Sequence, residues 1–486
     1  MKKRILLIRT HKNISAGGPV PPLGLLHIAS EVIKNFEGNF ELKIINTGLN
    51  NSLKEAREVF SYFQPDIVGL STLTCEAGLM HDLSSYAKKN NSKTLVVAGG
   101  PHATLIKGNI LEDKNIDFAV IGEGELTFIE LLKEIEGERN FEKVKGIAWR
   151  RGRGIVLNEV RPFIEELDDF TILPDAWNLI SLKEYGKYTN WNGVCRDRYY
   201  MPILTSRGCP FNCVFCRSRD TFGRKFRVRS PASIIKEILF LSRKYQIREI
   251  HFYDDSFNFD LERANEICSL LISTREKFSL AFPNGLRIDR MPDVFLRNLR
   301  RAGTYKINFG IESGSPRIQS QIKKDIDLRR ALEVINKVFN AGILSSGYFI
   351  LGFPGETKEE MLLTIDFAVN SRLDNAYFFK FIDYSSAISF QDNSTPRFEG
   401  RSLSDFNFYS SNSSSSSLPL VELNNLMLIA QQRFYLGKKR ILWGLLRSAR
   451  KSEFLKSLIY AVSLIIQSYL IIQLSKKDKE LINNVN

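Results

Sequence analysis

Short apolar runs alternate with helix-like patterns along the first third of the chain. The apolar runs predict β-strands at 4–8, 42–45, 67–71, 94–98 and 118–121. Between them, apolar residues recur with helical spacing at 25–34, 53–63, 79–89 and 126–135. Strands that alternate with helices indicate βαβ units and a parallel sheet covered on both faces. We therefore expect residues 1–138 to form a doubly wound α/β domain.

A second βα series begins near residue 201. Its strands are predicted at 201–205, 249–253, 279–283, 306–311, 347–351 and 376–382, with helical patterns at 232–244, 261–274, 294–302, 329–341 and 358–369. Six strands are too few for a complete eight-fold barrel and predict an open, partial (β/α)6 barrel over 201–390. Residues 139–200 are expected to be a connector that contains a β-hairpin at 146–158.

The character of the chain changes after the sixth strand. Residues 391–419 are Ser-rich and include the low-complexity run YSSNSSSSSLP. Residues 420–486 predict a helical appendage that is both basic and apolar. Its stretch 457–474 carries no charge and suits three structures: a helix packed on the barrel, a helix at a membrane interface, or a membrane span.

Composition places the chain among globular proteins, with 486 residues of which 43% are hydrophobic and 25% charged. The formal net charge is +14. Part of the excess follows the cysteine motif, and part lies near the C-terminus, where it includes Arg440 and Arg447. Basic surface attracts any polyanion without specificity, so it does not indicate nucleic acid, and we expect no nucleic-acid partner.

The first residues, MKKRILLIRTH, contain only a short apolar run, which predicts a first strand rather than a signal peptide. We expect a cytoplasmic protein, and peripheral membrane association through the C-terminal region stays open.

Three of the six cysteines lie within eight residues, in the sequence CPFNCVFC. Three thiolates at Cys209, Cys213 and Cys216 can hold three irons of a cubane cluster and leave the fourth iron open to another ligand. Structural zinc is the alternative, but it prefers four ligands, and no further Cys or His follows closely. The spacing therefore favours an iron–sulfur cluster.

This spacing, with Phe215 before the last cysteine, resembles the radical S-adenosylmethionine (SAM) superfamily. The phrase TSRGCPFNC resembles its cobalamin-binding branch, which includes the anaerobic magnesium-protoporphyrin monomethyl ester cyclases and radical SAM C-methyltransferases. The resemblance implies a 4Fe-4S cluster whose open iron chelates SAM, and a 5′-deoxyadenosyl radical formed by reductive cleavage. It also implies a reducing partner such as flavodoxin or ferredoxin. No catalytic residue is assigned beyond the cluster ligands.

Further segments resemble the SAM-binding motifs of this superfamily. HFYDDSF places Asp254 and Asp255 near the ammonium group of SAM, although paired aspartates after a strand also cap helices. NFGIESG places Glu312 near the ribose, and GYFILGFPGET places Gly352 where backbone approaches the ligand. Arg287, in NGLRID, matches a polar position of the third strand, and an ordinary ion pair is its alternative role. With Phe215, these residues form the predicted SAM site.

The first domain resembles a Rossmann-like cobalamin-binding domain through PPLGL, PDIVGLS, GGPH and IGEGE. Glycines in these loops would let backbone approach the corrin, and two hydroxyls would bond its lower-face tail; ordinary turn glycines are the alternative. The predicted cobalamin residues are Pro22, Leu70, Ser71, Thr72, Gly99, Gly100, Pro101, Gly122, Glu123 and Gly124. The resemblance covers residues 1–370.

The chain departs from the wider pattern in two places. The Asp-x-His-x-x-Gly signature is absent, and His11 has no aspartate two positions before it. Cobalamin would then bind without a protein histidine on cobalt. After the sixth strand, FKFIDYSSAISFQDN replaces the usual Pro-Gly segment, which leaves the substrate side unassigned.

Our leading hypothesis is cobalamin-dependent C-methylation of an unactivated carbon in a small-molecule or lipid substrate. The alternatives are a cobalamin-linked cyclase or oxidoreductase acting on a tetrapyrrole or lipid, and a membrane-associated iron–sulfur or cobalamin-binding module without turnover. Methylthio transfer needs a second cluster in the first domain, where Cys75 is the single cysteine.

Overall fold

The computed structural model describes residues 2–11, 19–49, 52–186, 195–197, 199–382, 388–391, 395–398, 401–402 and 415–447, with a few single positions from 455 to 466. The chain forms two large sheets, one in each of the two α/β regions that the sequence predicts.

The first sheet has seven strands in the order β2-β1-β3-β4-β5-β6-β7. Its strands are β1 (Lys3–Arg9), β2 (Phe40–Asn46), β3 (Ile67–Ser71), β4 (Leu95–Gly99), β5 (Phe118–Val120), β6 (Ile147–Arg151) and β7 (Gly154–Leu157). Its helices are α1 (Leu23–Phe36), α2 (Ser52–Phe63), α3 (Ala77–Asn90), α4 (Gly100–Ile106) and α5 (Glu125–Glu136). Strands β1–β5 are parallel, and the order reverses between β1 and β3. Doubly wound sheets bind ligands at such a reversal.

The core of this region lies on both faces of the sheet. Ile5 and Leu7 of β1 belong to one apolar cluster, whereas Leu6 and Ile8 belong to another. Successive side chains of a strand point to opposite faces, so an unbroken apolar run fits a strand that helices cover on both sides.

The hairpin expected in the connector instead extends the first sheet. Strand β6 pairs antiparallel with β5, and β7 pairs with β6. Ala148 and Ile147 are buried against the two clusters of the first sheet, which explains why the hairpin packs there. Local pattern predicts a hairpin but cannot show which sheet its strands join.

The second sheet contains six parallel strands in sequence order, which confirms the open, partial barrel. They are β8 (Tyr200–Ile203), β11 (Glu249–Phe252), β12 (Ser279–Leu286), β13 (Thr304–Glu312), β14 (Leu344–Leu351) and β15 (Asn375–Lys380), with a separate antiparallel ribbon of β9 (Ser206–Arg207) and β10 (Arg227–Val228). The connector contains α6 (Pro174–Trp177) and α7 (Leu182–Tyr185). The barrel helices are α8 (Ser218–Phe222), α9 (Pro231–Tyr245), α10 (Leu261–Ser273), α11 (Asp293–Arg301), α12 (Pro316–Gln321), α13 (Leu328–Asn340) and α14 (Lys358–Asn370).

Two C-terminal helices, α15 (Leu420–Tyr435) and α16 (Lys438–Arg447), pack on the far edge of the barrel. The hydroxyl of Tyr435 donates to the Ala376 carbonyl of the edge strand at 2.8 Å. Arg440 donates to the Ser371 carbonyl after α14, and Arg447 donates to the Ile343 carbonyl. Positive charge stabilises the carbonyl ends of helices. These two arginines, counted from the sequence as part of a basic tail, therefore bind the barrel.

Along the chain, a short antiparallel sheet comes after the barrel and before these helices. Its strands are β16 (Ile388–Gln391), β17 (Thr395–Phe398) and β18 (Arg401–Ser402). The sequence pattern did not predict it. The low-complexity residues 409–414 and almost all of the apolar stretch 457–474 lie outside the described residues. In the part of the chain that is described, no helix has the length and apolarity needed to cross a membrane.

Candidate active site

The three cysteines of the predicted cluster lie on one loop, which connects the β9–β10 ribbon to α8. The Cys216 amide donates to the Cys213 carbonyl at 3.2 Å, so a backbone turn sets their spacing. Gly208 begins the loop at a φ of +85°, and a Cβ there would lie 2.2 Å from the Lys225 carbonyl oxygen. Glycine alone tolerates both the dihedral and the close approach.

The thiols of this loop fit a cluster better than a single ion. All three cysteines are partly buried. Burial raises the pKa of Cys209, and that of Cys216 to about 11, so both are neutral thiols until a metal binds. Their three sulfurs do not all lie within 4.8 Å of one another. Ligands of one zinc ion would do so, because each sulfur sits about 2.3 Å from the metal.

Glu312 lies at the end of β13, as the predicted ribose contact. Its φ is +69°, which is unusual for a residue other than glycine and is typical of functional sites. Its carboxylate accepts a hydrogen bond from the Lys324 ammonium at 3.0 Å. Burial acts to lower the pKa of Lys324, but the Glu312 carboxylate outweighs it and holds this pKa above its ordinary value. Sequence reasoning missed Lys324, since a lysine after a helix carries no local signal.

The two aspartates after β11 have different environments. Asp254 is 2% exposed, and its Oδ1 accepts from the Thr205 amide at 3.0 Å and from the hydroxyls of Thr205 and Ser206. These hydrogen bonds fix the position of the segment just before the cysteine loop. Asp255 is less buried and accepts from the Ser218 hydroxyl next to the cysteines. Burial raises the pKa of Asp255, and its negative charge helps to raise that of Cys216.

Arg287 lies against the cysteine loop, to which Phe215 belongs. The guanidinium of Arg287 pairs with both oxygens of Asp289 at 2.9 and 3.0 Å, so the ordinary ion pair is present. The same group stacks 3.8 Å from the centre of the Phe211 ring. Phe215 packs near Phe353, with ring centres 5.9 Å apart.

Gly352 ends β14 with a φ of +93°, in a loop that the C-terminal helices cover. A Cβ on Gly352 would lie 2.9 Å from Leu423 of α15. The buried Glu356 carboxylate accepts from the Gly352 and Phe353 amides at 2.6 and 2.9 Å. Burial raises the pKa of Glu356 to about 7.

Small hydroxyl residues occupy the strand reversal of the first sheet. The Thr10 amide after β1 donates to the Ser71 carbonyl at 3.1 Å, and the Thr10 hydroxyl donates to that of Thr72 at 2.9 Å. Thr72 is 1% exposed, so this hydroxyl is already satisfied, whereas Ser71 is more open. Sequence reasoning missed Thr10.

The loop glycines of this sheet differ in how much free space surrounds their Cα atoms. Gly100 has a φ of +82°, and its Cβ would lie 3.0 Å from Ser71 Oγ. Gly122 has a φ of +81° and no atom near the Cβ position, which leaves room for a flat ligand to approach its backbone. Gly99 and Pro101 lie on either side of Gly100 at the start of α4.

Other predicted cobalamin residues have structural contacts. Leu70 belongs to the apolar core, and Pro22 is buried at the start of α1. A Cβ on Gly124 would meet Ile28 at 3.1 Å. Glu123 is 7% exposed, and its carboxylate pairs with two arginines of the second region.

A buried ionic group lies beside the strand reversal. Glu76 accepts from the Arg9 guanidinium at 2.5 Å, and its other oxygen lies 3.2 Å from His11 Nδ1. The Nε2 atom of His11 is buried and makes no hydrogen bond within the described residues. Sequence reasoning missed Glu76.

Two family models match the chain. The radical SAM superfamily model matches residues 203–368, and the B12 binding domain model matches residues 12–132. The first range runs from the end of β8 into α14, and the second ends in α5.

Several known proteins are similar to the chain. An uncharacterised methyltransferase of Pyrococcus horikoshii is 34% identical over 384 residues, which are 78% of this chain and 80% of that protein. The anaerobic magnesium-protoporphyrin IX monomethyl ester cyclase of Rubrivivax gelatinosus is 26% identical over 94% of this chain and 82% of its own length. The radical SAM methyltransferase TsrM of Kitasatospora setae, solved with cobalamin and a 4Fe-4S cluster, has a TM-score of 0.62, with 19% identity over 78% of this chain and 72% of that one. At this identity, the structural likeness shows a shared fold.

The fold and the site define a two-part enzyme, with a B12-binding domain ahead of a radical SAM domain. The chain belongs to the radical SAM superfamily, in the branch that combines these two domains. Its predicted cofactors, a 4Fe-4S cluster, SAM and cobalamin, are confirmed by these matches.

Proposed function

We propose that this protein is a cobalamin-dependent radical SAM methyltransferase that methylates an unactivated carbon of a small molecule. One observation carries the proposal: the β9–β10 ribbon, which flanks the cysteine loop, is in direct contact with residues 122–125. Arg207, two residues before Cys209, pairs with Glu123 at 3.0 Å. The loops assigned to the cluster and to the corrin are therefore neighbours, as direct methyl transfer requires.

The residues of the barrel mouth suit the parts of SAM. Cys209, Cys213 and Cys216 would hold the cluster. The Lys324 ammonium suits the SAM carboxylate, and Asp255, beside the cysteines, suits the SAM ammonium group. When bound, the cluster and SAM supply a 5′-deoxyadenosyl radical and cobalamin supplies a methyl group.

Glu312 and Asp254 have separate roles in this proposal. Glu312 keeps one oxygen for a ribose hydroxyl while Lys324 holds the other. Asp254 acts as a positioning residue, because the bonds of its Oδ1 to Thr205 and Ser206 hold the segment that leads into the cysteine loop.

Polar aromatic groups lie within the barrel strands. The Tyr348 hydroxyl donates to the Pro283 carbonyl at 2.7 Å and accepts from the Asn308 amide at 2.6 Å. Burial raises the pKa of Tyr348 above its ordinary value, so its hydroxyl stays protonated. Because this hydroxyl is satisfied by protein groups, it joins β14 to the neighbouring strands β12 and β13 inside the barrel.

The enzyme needs an electron donor, and we propose flavodoxin or ferredoxin. Arg217, Arg219 and Arg224 lie partly exposed around the cysteine loop. An acidic redox protein could dock there and bring its electron close to the cluster.

A second candidate function is ring closure of a tetrapyrrole by radical chemistry. It is favoured by the similarity to the Rubrivivax cyclase, which extends over 94% of this chain. The two functions share their cofactors and differ in the fate of the substrate radical.

The test is anaerobic turnover of reconstituted protein with reductant, cobalamin and methyl-labelled SAM, analysed by mass spectrometry. Methyltransfer predicts 5′-deoxyadenosine together with labelled cobalamin. 5′-Deoxyadenosine without any labelled methyl group would favour the cyclase. Absence of both products, in protein that has bound cluster, SAM and cobalamin and has been offered candidate small molecules, would contradict the proposal.

A further inference from the structure

Four charged side chains are buried together where the two regions meet. Arg207 donates to Glu123 at 3.0 Å and to Glu125 at 2.6 Å. Arg227 donates to both oxygens of Glu123 at 2.9 and 3.0 Å. When the side-chain atoms alone are counted, all four groups are almost completely buried. We call this group the charge clamp (Glu123, Glu125, Arg207 and Arg227).

The charge clamp joins two loops that the proposed function assigns to different cofactors. Arg207 and Arg227 are register partners in the β9–β10 ribbon, and the residues between them contain all three cluster cysteines. Glu123 directly follows Gly122, whose open face suits the corrin, and Glu125 is two residues further along the chain. A shift of either loop must therefore move the clamp.

The charge clamp is rigid, because separating its buried charges would cost a large free energy. Two positive and two negative groups are matched, and the Ile164 amide also donates to Glu123 at 2.7 Å. Burial opposes ionisation of Glu125, but Arg207 lowers the pKa of this carboxyl below its ordinary value. A buried charge that loses its partner is strongly unfavourable, so opening the contact would expose or strand all four groups.

We propose that the charge clamp transmits occupation of the corrin site to the cluster loop, so that cobalamin sets the position of the 4Fe-4S cluster. This inference rests on the proposed function. Arg207 and Arg227 act as positioning residues, because they pair with Glu123 and Glu125 and hold the ribbon that flanks the cysteines.

The test compares wild type with Glu123→Gln/Glu125→Gln and with a matched control, Glu237→Gln. Glu237 also pairs with a buried arginine, Arg229, at 2.5 Å, but both belong to the barrel region. Cob(II)alamin and the reduced cluster are both paramagnetic. Pulsed electron paramagnetic resonance can therefore measure the distribution of distances between them.

Wild type and Glu237→Gln should show one narrow distribution of the distance between cob(II)alamin and the cluster. The clamp variant, Glu123→Gln/Glu125→Gln, should show a broader or displaced distribution. An unchanged narrow distribution in the clamp variant would overturn the inference. Lack of either paramagnetic signal in wild type would instead contradict the proposed function.

Hydrogen exchange gives a second readout that needs no activity. Adding cobalamin to wild type should slow exchange in residues 208–226 by about tenfold, because the clamp passes order to that loop. Arg207→Lys keeps the charge but loses the two-pronged contact, and it should lose this response even if the double variant folds poorly. A full response in Arg207→Lys protein would count against the clamp.

Discussion

The carboxyl ends of the strands differ between the two sheets. In the first sheet, this edge presents glycines and hydroxyls, and its charged groups, such as Glu123 and Glu76, are paired inside the protein. In the barrel, the edge presents three thiols, Asp255 and the Glu312–Lys324 pair. We therefore expect backbone and shape to recognise the ligand of the first sheet, and charge to recognise the ligand of the barrel.

This difference matches the ligands that each domain takes. A corrin is large and flat, so it needs close backbone approach more than charge. SAM is small and carries opposite charges, so paired ionic groups can orient it. The comparison predicts that an added methyl group weakens cobalamin binding at the first sheet, and that a change of charge weakens SAM binding at the barrel.

The largest effect is expected at the cluster. Cys213→Ala should abolish 5′-deoxyadenosine formation, because two thiolates cannot hold the cubane. Iron content and product mass spectra measure this. Cys268→Ala removes a buried thiol of α10 and should keep the cluster. A Cys213→Ala protein with four irons and normal cleavage would refute the assignment.

A smaller effect is expected from a change of charge at the barrel edge. Glu312→Gln should weaken SAM binding about 30-fold, or ~2 kcal/mol, since a charge-assisted hydrogen bond is lost. The cluster spectrum should not change. Equilibrium binding of SAM gives the affinity, and Glu333→Gln, an exposed site on α13, is the control. If Glu312→Gln destroys the cluster instead, the ribose role is wrong.

In the first sheet, a single methyl group added at a strand end should weaken cobalamin binding. Gly122→Ala should weaken cobalamin binding about fivefold, or ~1 kcal/mol, because the methyl enters the space left for the corrin. Gly152→Ala is the matched control: its φ is +60°, its Cβ position is equally open, and it lies in the β6–β7 turn. Both changes cost about 1 kcal/mol of stability from the left-handed backbone. Equal cobalamin affinity in the two variants would remove Gly122 from the site.

The remaining effect is on the free energy of unfolding rather than on ligand binding, and it concerns pH and the Gly352 loop. Because the pKa of Glu356 is raised to about 7 in the folded protein, its stabilising contribution is complete below about pH 4.5 and is lost as pH rises through 7. Glu356→Gln cannot ionise and should not show this loss. The difference in unfolding free energy between wild type and variant should therefore fall by roughly 1 kcal/mol per pH unit from pH 5 to 7. Denaturant titrations at several pH values measure it, and parallel curves would show that Glu356 does not titrate there.

Periodicity predicted most of the fold. The apolar run 4–8 became a buried central strand, and six βα units became six strands in sequence order. The sheet that the 146–158 hairpin joins was beyond prediction, because an antiparallel edge pairing depends on a distant partner strand. Arg440 and Arg447 were misread as a free basic surface for the same reason.

The sequence by itself determined the two-part architecture and the loops at each strand end, and it predicted the cluster ligands. Those features depend on short spacings and on residues whose chemistry is local, such as thiols and glycines. Only the tertiary structure decided that Asp254 is a brace while Asp255 faces the cysteines, that Lys324 joins Glu312, and that Glu123 belongs to the charge clamp. Such roles depend on burial and on partners from distant segments, and the folded chain alone brings these together.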